Sequence, residues 1–294
     1  MSARFVERVA LLGPEQDQVA VVSDPATRHP EAVGVLLMNA GLIHRVGPNR
    51  LNVDLARHAA SAGHVAMRLD LAGFGDSAPA VGGLRFEEGA VRDLRRGMDY
   101  LAETRGLTRF VAAGLCSGAD VSLKLAAEDP RVEQAVLIDP FSYETRLFWL
   151  QGYAHRLLRR ESWSSFIHGD SYIRHALGDR VRQALNIVPE AEGQGTAPEP
   201  WQQPEASRIF ECVSDAVVKH GTRLVLAYSG GPAWYNYLAH LRPGFQPHKH
   251  TGRVLLERFA EADHTFTLSY HRQALVQAFD RWLAWRPEAV PSFG

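Results

Sequence analysis

Short, nearly uninterrupted apolar runs alternate with helical patterns along this chain, and that alternation constrains its fold more than any other feature. "AVGVLLMNAG" (32–41), "HVAMRLDLAGFGDS" (64–77, strand then Gly-rich loop), "FVAAGLCSG" (110–118), "VEQAVLIDP" (132–140), "TRLVLAYSG" (222–230) and "RVLLERFAEADH" (253–264) read as strands, the more continuous ones buried on both faces. Residues 51–62, 87–105 and "ADVSLKLAAED" lie between them and read as helices. Within 87–105, Val91, Leu94, Met98 and Leu101 recur at helical spacing. "FVERVAL" and "QVAVVS" open the chain as a strand pair around "GPEQD", and "HRQALVQAFDRWLAW" closes it as a helix. Strand, helix, strand in repetition predicts an α/β protein with a mostly parallel, doubly wound sheet of about eight strands.

One interval breaks the rhythm. About eighty residues separate Asp139 from Thr222, far more than an ordinary connection. Helical patterns rich in aromatics fill it, with Phe148, Trp149, Trp163, Phe166 and Trp201, and 188–204 is rich in Pro and Gly. The expected organisation is a core of residues 1–141 and 216–294 with an inserted helical cap over 142–215. Trp149 and Trp163 are candidates to line a pocket beneath that cap.

The formal net charge of the 294 residues is −1, so no basic excess points to nucleic acid or an anionic membrane surface. No apolar stretch reaches 18 residues, which argues against insertion in a bilayer. The N-terminal "MSARFVERVALLGPEQDQ" carries early charges and lacks the apolar centre of a signal peptide. Cys116 and Cys212, the only cysteines, read as free thiols in a reducing compartment. A cytoplasmic protein is the expectation.

The chemistry concentrates at "GLCSGAD" (114–120). A sharp strand-to-helix turn that presents a nucleophile needs small residues two positions before and after it, because any side chain there would clash. Gly114 and Gly118 meet that need around Cys116, with a strand before and a helix after. The alternative is a glycine-rich turn holding a buried cysteine. Ser117 falls one position late for the nucleophile; its backbone N–H instead suits one half of an oxyanion hole. The other half is expected in "NAGLIHRVGPNR", where Ala40 and Gly41 let backbone approach a substrate and Leu42 N–H is the candidate donor. His44 in the same loop is a candidate pocket residue.

His264, in "EADHTFT", follows the last strand at the carboxyl edge of the sheet, where sites gather in doubly wound folds. It is the candidate general base. His248 and His250 lack further ligands at metal spacing, so they read as a solvated loop and no metal or other cofactor is expected. "DLAGFGDS" (70–77) reads as a tightly packed loop without a catalytic role. Cys212 reads as a packed core thiol. The acid is less obvious. After "TRLVLAYS" the chain continues Gly230-Gly231-Pro232-Ala233-Trp234 with no carboxylate. Asp139, at the end of the preceding strand, is the candidate, against a simple Asp-Pro turn. Asp263 adjoins His264, and neighbouring side chains on an extended turn point apart.

These residues resemble the α/β-hydrolase superfamily, and more closely the exosortase A system-associated hydrolases of bacterial exopolysaccharide and protein-sorting gene clusters. The likeness runs through "GVLLMNAGLIHRVGPNR", "RLDLAGFGDS", "GLCSGA", "RVEQAVLIDP", "HRLLRRESWSSFIHGD", "YSGG" and "ADHTFT", in order. It implies the α/β-hydrolase fold with a cap, and aligns Cys116 and His264 with the family's cysteine and histidine. Two positions depart from it. The family has an aspartate in the loop after "YSG", where Pro232 stands, and an asparagine where Asp139 stands.

Three functions are compatible with this reading. The first is an acyl-processing hydrolase acting on a small-molecule or carrier-bound acyl substrate, with Cys116 attacking, His264 moving the proton and Ser117 and Leu42 N–H groups holding the oxyanion. The second is an acyltransferase delivering the acyl group to an amine or hydroxyl. The third is a ligand-binding member of the fold that has lost turnover.

Overall fold

The computed structural model describes residues 4–38, 41, 43–79, 85–140, 209, 211–230, 248 and 251–286. Eight strands form one sheet: β1 (Phe5–Leu12), β2 (Gln18–Pro25), β3 (Gly34–Met38), β4 (Val65–Leu69), β5 (Phe110–Leu115), β6 (Val132–Ile138), β7 (Arg223–Ser229) and β8 (Val254–Phe259). Their order across the sheet is β1-β2-β4-β3-β5-β6-β7-β8. β3 to β8 run parallel, whereas β2 is antiparallel to both β1 and β4. This is the mostly parallel sheet that the apolar runs require.

Burial explains the pattern of each strand. Every residue of β3, β4, β5 and β7 is buried, so these strands are mostly apolar on both faces, with Arg68, Arg223 and Ser229 as the buried polar members. β1 and β8 are the edges, and there exposed and part-exposed residues appear. Among the described residues four α-helices cover the faces: α1 (Leu51–Ser61), α2 (Phe86–Arg105), α3 (Ser117–Glu128) and α4 (Ser269–Ala284). α1 packs with α4 over one face, and α2 with α3 over the other. The step from β3 out to β4 and back to β5 reverses the winding, and crevices open where it does so. Cys116 follows β5, and the loop after β3 lies across that switch.

Most of the expected cap, 142–215, falls outside the described residues, and Trp149 and Trp163 with it. Its last residues are described: 211–219 are helical and end in a π-turn, Asp215–Lys219. Val213, Ala216 and Val217 join the core on the α3 face, with Ile209 and Cys212 packed against it. Burial raises the pKa of the Cys212 thiol, as suits a packing residue. His248 is buried rather than solvated, and its carbonyl accepts a 2.6 Å hydrogen bond from the Thr251 hydroxyl. Two histidines separated by a lysine gave no apolar signal from which that burial could be read.

Phe110 starts β5 and is fully buried in the α2/α3 side of the core. Phe110→Ala should therefore cost about 3–5 kcal/mol, the loss of transfer energy plus an unfilled cavity. Urea denaturation measures it; a cost below about 1 kcal/mol would show that this end of β5 collapses around the deletion.

Candidate active site

The strand β5 stops at Leu115 and α3 begins at Ser117, so a single residue makes the turn. That residue is Cys116, with φ 56° and ψ −125°. A side chain at positive φ costs on the order of 1–3 kcal/mol and persists only where its surroundings impose it. Here they do. Cys116 N–H donates to Ile138 O at 2.9 Å on the strand side, and Ala119 N–H donates to Cys116 O at 2.9 Å on the helix side. Gly114 completes the turn, since a Cβ there would sit 2.3 Å from the Gly118 carbonyl carbon. The thiol is half-buried at the carboxyl edge of the sheet.

His264 reaches this edge from the loop between β8 and α4. Its Nδ1 lies 2.9 Å from Asp139 Oδ2, and the ring couples electrostatically to the Cys116 thiol. Asp139 is 3% exposed and terminates β6. Its second oxygen, Oδ1, accepts the Ser229 N–H at 2.7 Å, while its own N–H donates to Ala227 O at 2.8 Å. Both carboxylate oxygens and the backbone are thus fixed by the end of β7 and by His264. Asp139 takes a positive φ of 43° to meet these contacts, although the following proline favours extended backbone. Cys116, His264 and Asp139 therefore stand together at this edge, with His264 hydrogen-bonded to Asp139 and coupled to the Cys116 thiol.

Electrostatics follow from that arrangement. The hydrogen bond to Asp139, reinforced by the coupling to Cys116, pushes the His264 imidazolium up to about 10. The coupling to His264 lowers the Cys116 thiol pKa below the usual thiol range; burial opposes this and the Ser117 N–H assists it. Both shifts favour a thiolate beside an imidazolium. Asp263 is not part of the group, since its carboxylate turns back onto Thr265 and Thr267.

The oxyanion-hole residues divide. Ser117 N–H sits against the Cys116 sulfur. The Ser117 hydroxyl accepts the Gly41 N–H at 2.7 Å, joining the loop after β3 to the elbow. Leu42 lies outside the described residues. His44 is exposed, and its carbonyl accepts the Gly47 N–H at 2.9 Å. Among the described residues no group of side chains is arranged to hold a metal ion.

One contribution was missed in the sequence. Asp70, fully buried at the end of β4, accepts the Arg45 N–H at 2.6 Å, the Arg45 guanidinium, and the Asp76 N–H at 3.0 Å. Gly75 makes room, because a Cβ there would lie 2.3 Å from Asp70 Oδ2. "DLAGFGDS" thereby anchors the loop that carries Gly41 and His44. The available signal was an aspartate closing an apolar strand five residues before a glycine.

The sheet order, the helices on both faces and a nucleophile-type elbow after β5 define the α/β-hydrolase fold, and the chain has that fold. Solved structures agree. An α/β serine hydrolase homologue from Coxiella burnetii superposes with a TM-score of 0.57 at 13% identity, over 95% of this chain and 97% of that one. An esterase from Pyrococcus furiosus superposes with a TM-score of 0.60 at 13% identity, over 97% of this chain and 92% of that one. No protein-family model and no curated protein matches the sequence.

The thiolate–imidazolium pair yields a direct test. In a Cys212→Ser background, iodoacetamide should alkylate Cys116 with a pH midpoint below that of an ordinary thiol. His264→Ala should move the midpoint upward, because the stabilising imidazolium is gone. Identical midpoints in the two proteins would show that the ring does not hold the thiolate.

Proposed function

We propose that this protein is an acyl-processing hydrolase of the esterase or thioesterase type with Cys116 as nucleophile. The observation that carries the reading is the hydrogen bond between His264 and buried Asp139, with the same ring coupled to a thiol held on a strained strand-to-helix turn. Asp139 fixes the imidazole and stabilises its charged form. The Cys116 thiolate attacks the acyl carbon of an ester or thioester. The resulting oxyanion is held by the Ser117 N–H, with Leu42 N–H as the proposed second donor. The intermediate then expels the alkoxide or thiolate, which takes the proton from the His264 imidazolium and leaves an acyl thioester on Cys116. Water attacks that thioester as neutral His264 accepts its proton. Collapse returns the free carboxylic acid and the Cys116 thiolate beside an imidazolium.

A thiol is intrinsically more nucleophilic than a hydroxyl and needs less assistance from its base. This suits a triad whose acid stands after β6. The P. furiosus neighbour's esterase description points the same way. The half-buried thiol is open to a substrate from the carboxyl edge of the sheet.

Intact-mass analysis after mixing with p-nitrophenyl esters and acyl thioesters tests the proposal. One acyl group should be trapped on Cys116, be released by hydroxylamine, and be missing from Cys116→Ala. Cys116→Ala should abolish turnover and His264→Ala should lower it by about 10²- to 10⁴-fold. Products distinguish water from other acceptors: free acid in the presence of an amine supports hydrolysis, whereas an amide marks an acyltransferase. Failure to form any Cys116 adduct would leave a ligand-binding protein.

The acylation rate should rise with pH as the thiol ionises, below the ordinary thiol range. It should fall near pH 10 as the imidazolium loses the proton needed by the leaving group. Replacing Asp139 by Asn removes the charge that sustains the imidazolium and should bring the alkaline limb to lower pH. An alkaline limb unmoved by Asp139→Asn would separate the carboxylate from the chemistry.

A further inference from the structure

His264 stands in a loop, 260–268, without strand or helix of its own to fix its backbone. Three neighbours hold the margins of that loop. Gly230 N–H at the end of β7 donates to Ala262 O at 2.9 Å, and Asn49 Nδ2 donates to Thr265 O at 3.1 Å. Arg272 of α4 donates to Phe266 O at 3.0 Å and to Thr267 O at 2.5 Å. Between these margins the chain carries a second strained residue, Phe266, fully buried at φ 50°.

The interior of the loop is closed by Asp263. Its Oδ2 accepts the Thr265 N–H at 3.3 Å, the Thr265 hydroxyl at 2.9 Å and the Thr267 hydroxyl at 2.7 Å. Its Oδ1 accepts the Thr267 N–H at 2.9 Å, and its carbonyl accepts the Phe266 N–H at 3.0 Å. One side chain therefore gathers two backbone and two hydroxyl donors and closes the chain on either side of His264. These donors hold the Asp263 carboxyl far below the usual carboxylate range, so it carries its charge wherever the protein is folded. Aspartates commonly close loops in this way, by bonding backbone N–H groups a few residues on. What lies within the closed segment is the imidazole that bridges Asp139 and Cys116.

We propose that Asp263 is a positioning residue: its carboxylate, clamped by Thr265 and Thr267, sets the backbone of His264 so that the imidazole meets Asp139 and Cys116 together. The proposal rests on the assignment of His264 to the reaction. It gives Asp263 a role separate from that of the triad acid. Loss of the clamp leaves all three triad side chains present but lets the ring wander, and a misplacement of about 1 Å in such a site costs about 10²-fold in rate.

The test uses the full-length protein in a Cys212→Ser background, with p-nitrophenyl ester turnover and the pH profile of Cys116 alkylation as paired readouts. Asp263→Asn should lower kcat about tenfold to a hundredfold while KM changes by less than about twofold. Its alkylation midpoint should move up toward that of His264→Ala. Thr267→Val, which removes one hydroxyl donor and keeps the carboxylate, should shift both readouts in the same direction by less; Thr267→Ser should restore them. Glu261→Gln, two positions away, controls for loss of a nearby negative charge and should leave both unchanged. If Asp263→Asn folds poorly, the Thr267 pair carries the test. A fall in melting temperature with kcat and alkylation unchanged would make Asp263 a loop stabiliser only and overturn the proposal. Unchanged Asp263→Asn beside a crippled His264→Ala overturns the clamp alone. An unaffected His264→Ala overturns the clamp and the reading of the site together.

Discussion

Everything at this edge of the sheet depends on two glycines that let a helix begin against the end of a strand. The space between β5 and α3 is so small that a single carbon atom on Gly114 would overlap the Gly118 carbonyl. Because the turn is that tight, Cys116 has nowhere to go but outward at positive φ. The N–H of the next residue is thereby brought to the sulfur, and α3 starts directly beneath it. The strain is borne by a fully buried strand, since β5 has neighbours on both sides and helices on both faces. A rigid core thus carries the cost of a reactive conformation at its surface.

The remaining parts of the site are brought to that point by the topology. β6 lies next to β5, and Asp139 at its end stands one strand from the elbow. β7 is adjacent in turn, and the Ser229 N–H at its end aims the carboxylate. β8 delivers the loop bearing His264 back across both. On the other flank, Asp70 at the end of β4 grips Arg45 and keeps the loop after β3 beside α3. The residues are distant in sequence, yet each hangs from the carboxyl end of a parallel strand, so the register of the sheet sets their spacing.

Much of this was legible in the sequence because buried parallel strands leave little freedom. A run such as "LVLAY" is apolar throughout, and the structure buries all five of its residues. The glycine spacing around Cys116 could be read because sterics allow few other residues there. His264 and Asp139 could be named from their place after strands. What the sequence did not disclose are contacts made by charge and backbone between distant loops. The Asp70–Arg45 anchor joins residues 25 apart in a region whose pattern speaks only of turns. The hydrogen bond from Gly41 to the Ser117 hydroxyl depends on a side-chain rotamer, which no periodicity encodes. The bonds of Asp263 to Thr265 and Thr267 are local, but hydroxyl and carboxylate residues in a loop have many possible partners.

The carboxylate that meets His264 hangs from β6, and its own orientation is held by the backbone N–H of Ser229 at the end of β7. A main-chain N–H is present whatever residue occupies the position, proline apart. The stretch that follows Ser229 is therefore released from supplying an acid. In evolutionary terms, position 229 can change its side chain without disturbing the contact between Asp139 and His264.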